Sequence, residues 1–466
     1  MLLVAPCGST ERNLDTTGAG KGSSDATDAA PVAGATDRPA ATTDAQGNPV
    51  RNATVSAPTA GGGQRATSAG PHALPRGTGE IKIGFHYSEN IDSAYAAFGA
   101  EGDFVDFEAS ITKMVGFVNA RGGLGGKKVV PIFHGTDPLN GTFPAQAERA
   151  CTFFAEDAKV AYVVSGAILP DDNMPACFAK RKLPLVWNYQ YLTSQDTFRK
   201  YASYLYMPSN IGTYRFGFSI GALKAAGYFD KGAKVGLVRY DTAVHMEFAE
   251  KIVKAGLAKI GLKLTAEAAI TKPQSAGEAG DSAAQISSAI LRFRNAGVTH
   301  VIFSPSGGAI PLLWGASADG QGFRARLAFN SLDIPNFVTD NMSEEQLNRA
   351  VVVGWMPAGD TYAQYVPRTA AWEECRTATG VKDDTDMARF CDGLFFLKAA
   401  LDETPTYGVA GLRSAVESLG TGFASPWSNT TRFGPGRYDG AATYRLMAFD
   451  AECFCFEFTS GPKSIA

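Results

Sequence analysis

The sequence predicts an α/β protein whose folded part consists of two doubly wound parallel-sheet lobes. Three observations carry this. From Glu80 onward, short apolar strands alternate with amphipathic helices; the alternation restarts near Leu205; and 466 residues suffice for two such units and a long leader. Strands separated by helices of this length pair in parallel, with helices on both faces of the sheet.

The first unit opens on "EIKIGFHY", an alternating strand. The helix after it places Phe107, Ile111, Met114, Val115 and Val118 on one stripe, with Asp103 and Asp106 near its start and Gly122-Gly123 at its end. Then come the strand "KKVVPIFHG", a helix around Pro144–Phe154, the strand "KVAYVVSG", a helix around Asp171–Lys180 and the strand "LPLVWNY".

The second unit runs from a helix over Ile211–Ala226 to the strand "KVGLVRY". A helix carrying Phe248, Ile252, Val253 and Leu257 on one stripe follows, then "LKLTAEAAI", "SAAQISSAILRFRNAG" and "THVIFSP". A helix around Ile310–Ala318 and the strand "RARLAFN" complete it. The remainder holds "RAVVVGWMPA", helices around Ala371–Thr379, Asp386–Leu401 and Gly411–Leu419, and the closing strands "TYRLMAFD" and "CFCFEF".

Residues 8–79 differ in texture. They are mostly Ala, Thr, Gly, Asp, Ser and Pro, with aliphatics scattered singly and no Phe, Tyr or Trp, too little apolar surface to offset chain entropy, so this stretch is expected to be a disordered tether. It follows "MLLVAPC", whose apolar residues before Cys7 read as the remnant (1–7) of a bacterial lipoprotein signal with Cys7 as the lipidated residue. Pro6 and the missing basic segment depart from that pattern.

The other cysteines, Cys151, Cys177, Cys375, Cys391, Cys453 and Cys455, fit three disulfides in an oxidising compartment. Spacing favours Cys151–Cys177 and Cys375–Cys391, and other pairings remain open. Cys453 and Cys455 would share one face of a strand, where a bond between them would be strained.

The composition is 45% hydrophobic and 19% charged with net charge −3, which gives no footprint for nucleic acid. No apolar run reaches the roughly 18–20 residues of a membrane span. The five histidines, His72, His86, His134, His245 and His300, are dispersed without metal-ligand spacing. "RGGLGGKK" lacks the hydroxyl residue and the strand-then-helix order of a phosphate loop, and reads as a helix-terminating turn. Nothing calls for a cofactor or a metal, and no nucleophile–base pair stands out; the expectation is a protein that binds without catalysing.

Ligands of such folds sit outside the carboxyl ends of the strands. There the sequence offers Tyr87 and Ser88 after the first strand and Ser165, Gly166 and Ala167 after the third. Asn188, Tyr189 and Tyr191 follow the fourth. Tyr240 and Asp241 open the second unit's first loop, and Ser306 and Gly307 lie in "SPSGGA", whose glycines would present backbone N–H groups at a helix start. Aromatic walls with a few polar groups suit a small organic molecule.

"ITKMVGFVNARGGLGGKKVVPIFHGTDP", "KVGLVRYDTAVHMEFAEKIVKAGLAKIGLKL", "VVVGWMPA" and "GRYDGAATYRLMAFD", in this order, resemble the type I periplasmic binding proteins of the branched-chain amino-acid class, the solute receptors of ABC importers. The resemblance covers about 80–458. It implies a first lobe of 80–206 plus 334–442, a second of 207–333 plus 443–458, and a three-crossing hinge that closes on ligand. It also implies a first-lobe disulfide, where Cys151 and Cys177 lie, an ABC permease as partner, and an extracellular monomer held to the membrane through the lipid on Cys7 alone. A ligand-sensing module acting on a separate signalling protein is the alternative.

The resemblance further implies hydroxyl residues for an α-carboxylate and an acidic residue for an α-ammonium. Here the third-helix start reads Leu169-Pro170-Asp171-Asp172, the fourth loop Asn188-Tyr189-Gln190-Tyr191, and the acidic position falls on Gly308. A free α-amino acid is therefore disfavoured. An aromatic or apolar body lying against Trp187, Tyr189 and Tyr191 is expected instead.

Overall fold

The structure, a computed structural model, describes residues 79–97, 105–169, 173–403 and 407–465. Cys7, the tether up to residue 78 and Pro170–Asp172 lie outside the described residues.

Strands β1 (Glu80–Ser88), β2 (Lys128–Thr136), β3 (Tyr162–Ser165), β4 (Leu185–Trp187) and β5 (Leu205–Tyr206) form one wholly parallel sheet in the order β2-β1-β3-β4-β5. The second sheet contains β6 (Val235–Tyr240), β7 (Leu264–Ile270), β8 (His300–Phe303), β9 (Arg326–Asn330) and β10 (Val351–Gly354). Its order is β7-β6-β8-β9-β10, extended antiparallel by β11 (Thr443–Asp450) and β12 (Cys455–Phe458), with β13 (Lys463–Ser464) paired to β11. The two sheets thus repeat one topology. Each reverses strand order between its first and third strands, which opens a crevice there.

The predicted helix begins at Phe107 because Asp106 caps it, accepting the Ala109 N–H at 2.9 Å. Its stripe of Phe107, Ile111, Met114, Val115 and Val118 is buried against the first sheet's core. It ends in the turn where Gly122 and Gly123 take positive φ, so "RGGLGGKK" is a helix stop. Burial of Leu237, Val253, Ile302 and Val353 makes a second core, and Phe303, Trp314 and Phe329 centre a third on the other face of the second sheet.

Three features correct the expectations. Strand β10 lies within 334–442, the stretch expected in the first lobe, yet it pairs with β9 in the second sheet. An apolar "VVVG" satisfies either sheet, and β9 was the available edge. The helix expected to reach Phe154 ends at Thr152 and continues as a wider turn over Phe153–Asp157.

The third correction concerns the cysteines. All three disulfides form, Cys151–Cys177, Cys375–Cys391 and Cys453–Cys455, with Cα–Cα distances of 6.2, 5.7 and 5.2 Å. The last forms because Cys453 is not in the strand. It sits in the turn before β12, and Phe454 at φ 51° reverses the chain between the two cysteines.

Candidate functional site

The carboxyl ends of the two sheets face each other across a cavity of about 1030 Å³, its mouth included. Among the described residues no helix is long and apolar enough to cross a membrane.

From the first sheet, the chain leaves β4 through Asn188–Tyr191. The Asn210 side-chain amide donates to the carbonyls of Tyr189 (3.3 Å) and Tyr191 (3.1 Å), which fixes the loop. Both rings then stand in the cavity wall, roughly parallel with centroids 6.3 Å apart. Trp187 packs behind Tyr191 at 5.1 Å, 1% exposed, and is a core residue. Burial pushes the Tyr189 phenol up to about 12, against the opposing pull of Arg389, so it remains a hydrogen-bond donor.

From the second sheet, Tyr240 ends β6 and meets the edge of His245 at 5.2 Å. The His245 imidazole pairs Nδ1 with Thr242 Oγ1 at 2.7 Å and Nε2 with the Pro305 carbonyl at 2.9 Å. Only a protonated Nε2 can donate to that carbonyl. Lys272 lies two residues beyond the end of β7. It is 6% exposed, and its Nζ donates to Tyr191 Oη at 2.5 Å while lying 5.0 Å from that ring's centroid. This contact joins the two lobes.

Two further contacts do the same. The Phe143 N–H donates to the Gln274 carbonyl at 2.7 Å. Gly307, at φ 65°, lies so close to Tyr189 that an added Cβ would sit 2.5 Å from its phenol oxygen. The cleft is closed in this structure, with first-lobe tyrosines seated on second-lobe backbone.

Of the residues expected at the site, Tyr189, Tyr191, Tyr240, Ser306 and Gly307 line the cavity. The others do not line it, because their polar groups are engaged elsewhere or, for Ala167, buried. Ser88 Oγ accepts the Ile168 N–H at 2.8 Å, Ser165 Oγ meets His86 Nδ1 at 3.0 Å, and the Gly166 carbonyl accepts from Arg389 at 3.1 Å. Ala167 is buried, the Asn188 amide donates to the Arg389 carbonyl at 2.6 Å, and Tyr87 donates to Glu108. The Asp241 carboxylate accepts the Lys272 N–H at 3.2 Å.

The "SPSGGA" turn differs from expectation in one respect. The Gly307 N–H is turned onto the Leu332 carbonyl at 3.0 Å, and Ser306 Oγ accepts the Ile310 N–H at 3.1 Å. Residues that the sequence did not point to are Phe143, Lys272 and Phe337, while Ile168 and Pro305 lie in loops it singled out without being named.

No protein-family model matches the sequence, and no curated protein matches it. Solved structures do match. An ABC-transporter solute-binding protein of R. palustris, in complex with 4-hydroxybenzoate, superposes with TM-score 0.61 at 13% identity, covering 83% of this chain and 98% of its own. A branched-chain amino-acid transporter substrate-binding protein of Streptococcus pneumoniae, with isoleucine, gives 0.57 at 16%, covering 83% and 99%. An ABC-transporter substrate-binding protein of Desulfitobacterium hafniense, with leucine, gives 0.55 at 14%, covering 81% and 99%.

Proposed function

We propose that this chain, which has the type I periplasmic-binding-protein fold, is an extracellular solute-binding protein that captures a small organic molecule between its lobes and presents it to an ABC permease. The observation that carries the reading is the aromatic cavity closed by contacts from both lobes, Lys272 to Tyr191 and Phe143 to Gln274. A solute bound there touches both lobes at once, and so favours the closed form by its differential affinity. The reading includes no catalytic step. Anchorage through Cys7 and a monomeric state belong to the same proposal.

The solute class is an aromatic or apolar body, not a free α-amino acid. Gly308, at the position the resemblance gives to an acidic residue, has no carboxylate to meet an ammonium, and Tyr189, Tyr191 and Tyr240 supply ring faces. The Lys272 ammonium sets a positive charge within this wall, so aromatic acids are the first class to test.

The test is thermal unfolding of the full chain with 4-hydroxybenzoate, benzamide, leucine and isoleucine. A bound solute at about 100 times its dissociation constant adds about 2.7 kcal/mol of stability. Stabilisation by the aromatic compounds alone is expected. Stabilisation by leucine or isoleucine would overturn the solute class, and the absence of any shift across the four would count against the reading itself.

A further inference from the structure

Beside the aromatic cavity lies a second one of about 580 Å³, and the two share Ile334 and Phe337 as their common wall. Its lining is of another kind. Gln190 enters from the first lobe, next to the tyrosines of the aromatic wall, and Asn336 from the segment after β9. Asp340, Tyr362, Asp386 and Arg389 add polar groups, with Trp427 as an aromatic side.

Two of these groups point to a ligand. Gln190 is 1% exposed, and its Oε1 is buried without a hydrogen-bond partner among the described residues. Asn336 Oδ1 is in the same condition. Two buried amide oxygens opening on one cavity are costly unless something donates to them. Gly359 gives Gln190 its place, because an added Cβ there would sit 2.9 Å from the glutamine Nε2. The balance of charge also favours a donor. The Arg389 guanidinium is ion-paired with Asp386 and bonded to the Gly166 carbonyl, while Asp340 adds a further acceptor.

We infer that the second cavity receives the polar end of the same solute, an uncharged hydrogen-bond donor such as a hydroxyl or carboxamide, held by Gln190 and Asn336 beyond the Ile334–Phe337 wall. The solute is then elongated, with its aromatic body among the tyrosines and a donor-bearing tail. This rests on the solute-binding reading and deepens it. An anionic tail would meet amide oxygens and carboxylates, and is rejected.

The test uses three benzoates with different para tails: 4-(3-hydroxypropyl)benzoate, 4-propylbenzoate and 4-(2-carboxyethyl)benzoate. Each is titrated calorimetrically into the full chain and into the Gln190→Leu and Asn336→Leu variants. The hydroxypropyl compound is expected to bind about tenfold tighter than the propyl one, the worth of satisfying a buried acceptor, and the carboxyethyl compound weakest. Both variants should erase the hydroxyl's advantage over 4-propylbenzoate, read as the ratio of the two affinities within each protein. In the wild type, the hydroxypropyl compound should alter tryptophan emission in a way that Trp427→Phe abolishes, a readout that needs no substitution at the amides.

Equal affinity for all three tails, or tightest binding of the carboxyethyl compound, overturns the inference and leaves the aromatic cleft standing. Binding of none of them, with 4-hydroxybenzoate also inert, overturns the cleft and the tail together.

Discussion

Arg215 and Asp439 meet at 3.3 Å with 5% and 0% of their side chains exposed, more than two hundred residues apart in sequence, and together they fasten the point where the chain passes between the two sheets. The Asp439 carboxylate also accepts the Gly212 N–H at 2.7 Å and the Tyr214 hydroxyl at 2.5 Å. Arg215 in turn donates to the carbonyls of Asp439 and Ala441. One crossing leaves the first sheet here, and another returns to the second through β11.

Removing the carboxylate leaves a buried guanidinium beside two other deprived donors. Asp439→Ala is expected to cost about 3–5 kcal/mol in denaturant unfolding. Asp439→Asn, which keeps an acceptor, should cost less. Equal losses would show that shape rather than charge holds this crossing.

Gly307→Ala is expected to abolish solute binding while leaving a folded protein. The added methyl would strike the Tyr189 phenol on closure, and φ 65° disfavours any side chain there. Small-angle scattering should show a variant that stays extended in the presence of 4-hydroxybenzoate. A variant that binds and compacts like the wild type would place the closure contact elsewhere.

The Cys375–Cys391 bond closes a segment with a sequence separation of 16, joining the helices Ala370–Thr379 and Met387–Glu403. A loop of about 15 residues is worth about 3 kcal/mol. The double replacement Cys375→Ala/Cys391→Ala should lower stability by about that much, with a larger m-value if the unfolded chain expands.

Two buried carboxyls make stability fall as pH rises. Burial pushes Asp333 up to about 8 and Asp392 up to about 7, each partly offset by hydrogen bonds it accepts. Between about pH 4 and those values the folded state keeps a proton that the unfolded state has lost. Each group therefore removes about 1.4 kcal/mol per pH unit over that window. Asp392→Asn should flatten the decline between pH 5 and 7 in chemical denaturation, and an unchanged slope would count against a protonated carboxyl there.

His86 acts in the opposite direction. Burial, with a smaller contribution from His134, lowers it to about 3, and its ring nitrogens are held by Ser165 at 3.0 Å and Thr136 at 2.6 Å. Its neutral form supports the fold above about pH 6.5, and that support is lost as pH falls towards 3. His86→Gln should unfold at a lower pH than the wild type relative to its own neutral-pH stability.

The helix stripes and strand order were legible because burial imposes a period that residues such as Ile111, Met114 and Val118 display openly. The sheet that β10 joins was not legible, since an apolar strand carries no mark of its neighbour. In the site, Tyr189, Tyr191, Tyr240, Ser306 and Gly307 were readable from position, at strand ends on the cleft side. Lys272 was not, because a lone lysine after a strand reads as a solvated charge, and the approach of the opposite lobe is what buries it. Asn336 lies in a segment with no strand end to announce it, and only the packing of Gly359 against Gln190 reveals the second cavity.

The Phe143–Gln274 bridge runs from main chain to main chain. No exchange of side chain at either position deletes it, apart from proline at 143, which would remove the donor. Mutational drift could thus remodel the aromatic and amide linings for a new solute, disturbing the Lys272–Tyr191 and Gly307–Tyr189 contacts, while this one bridge between the lobes is inherited unchanged. Part of the closing machinery would then be insulated from changes in what is recognised, so that a descendant need rebuild only the side-chain half of it.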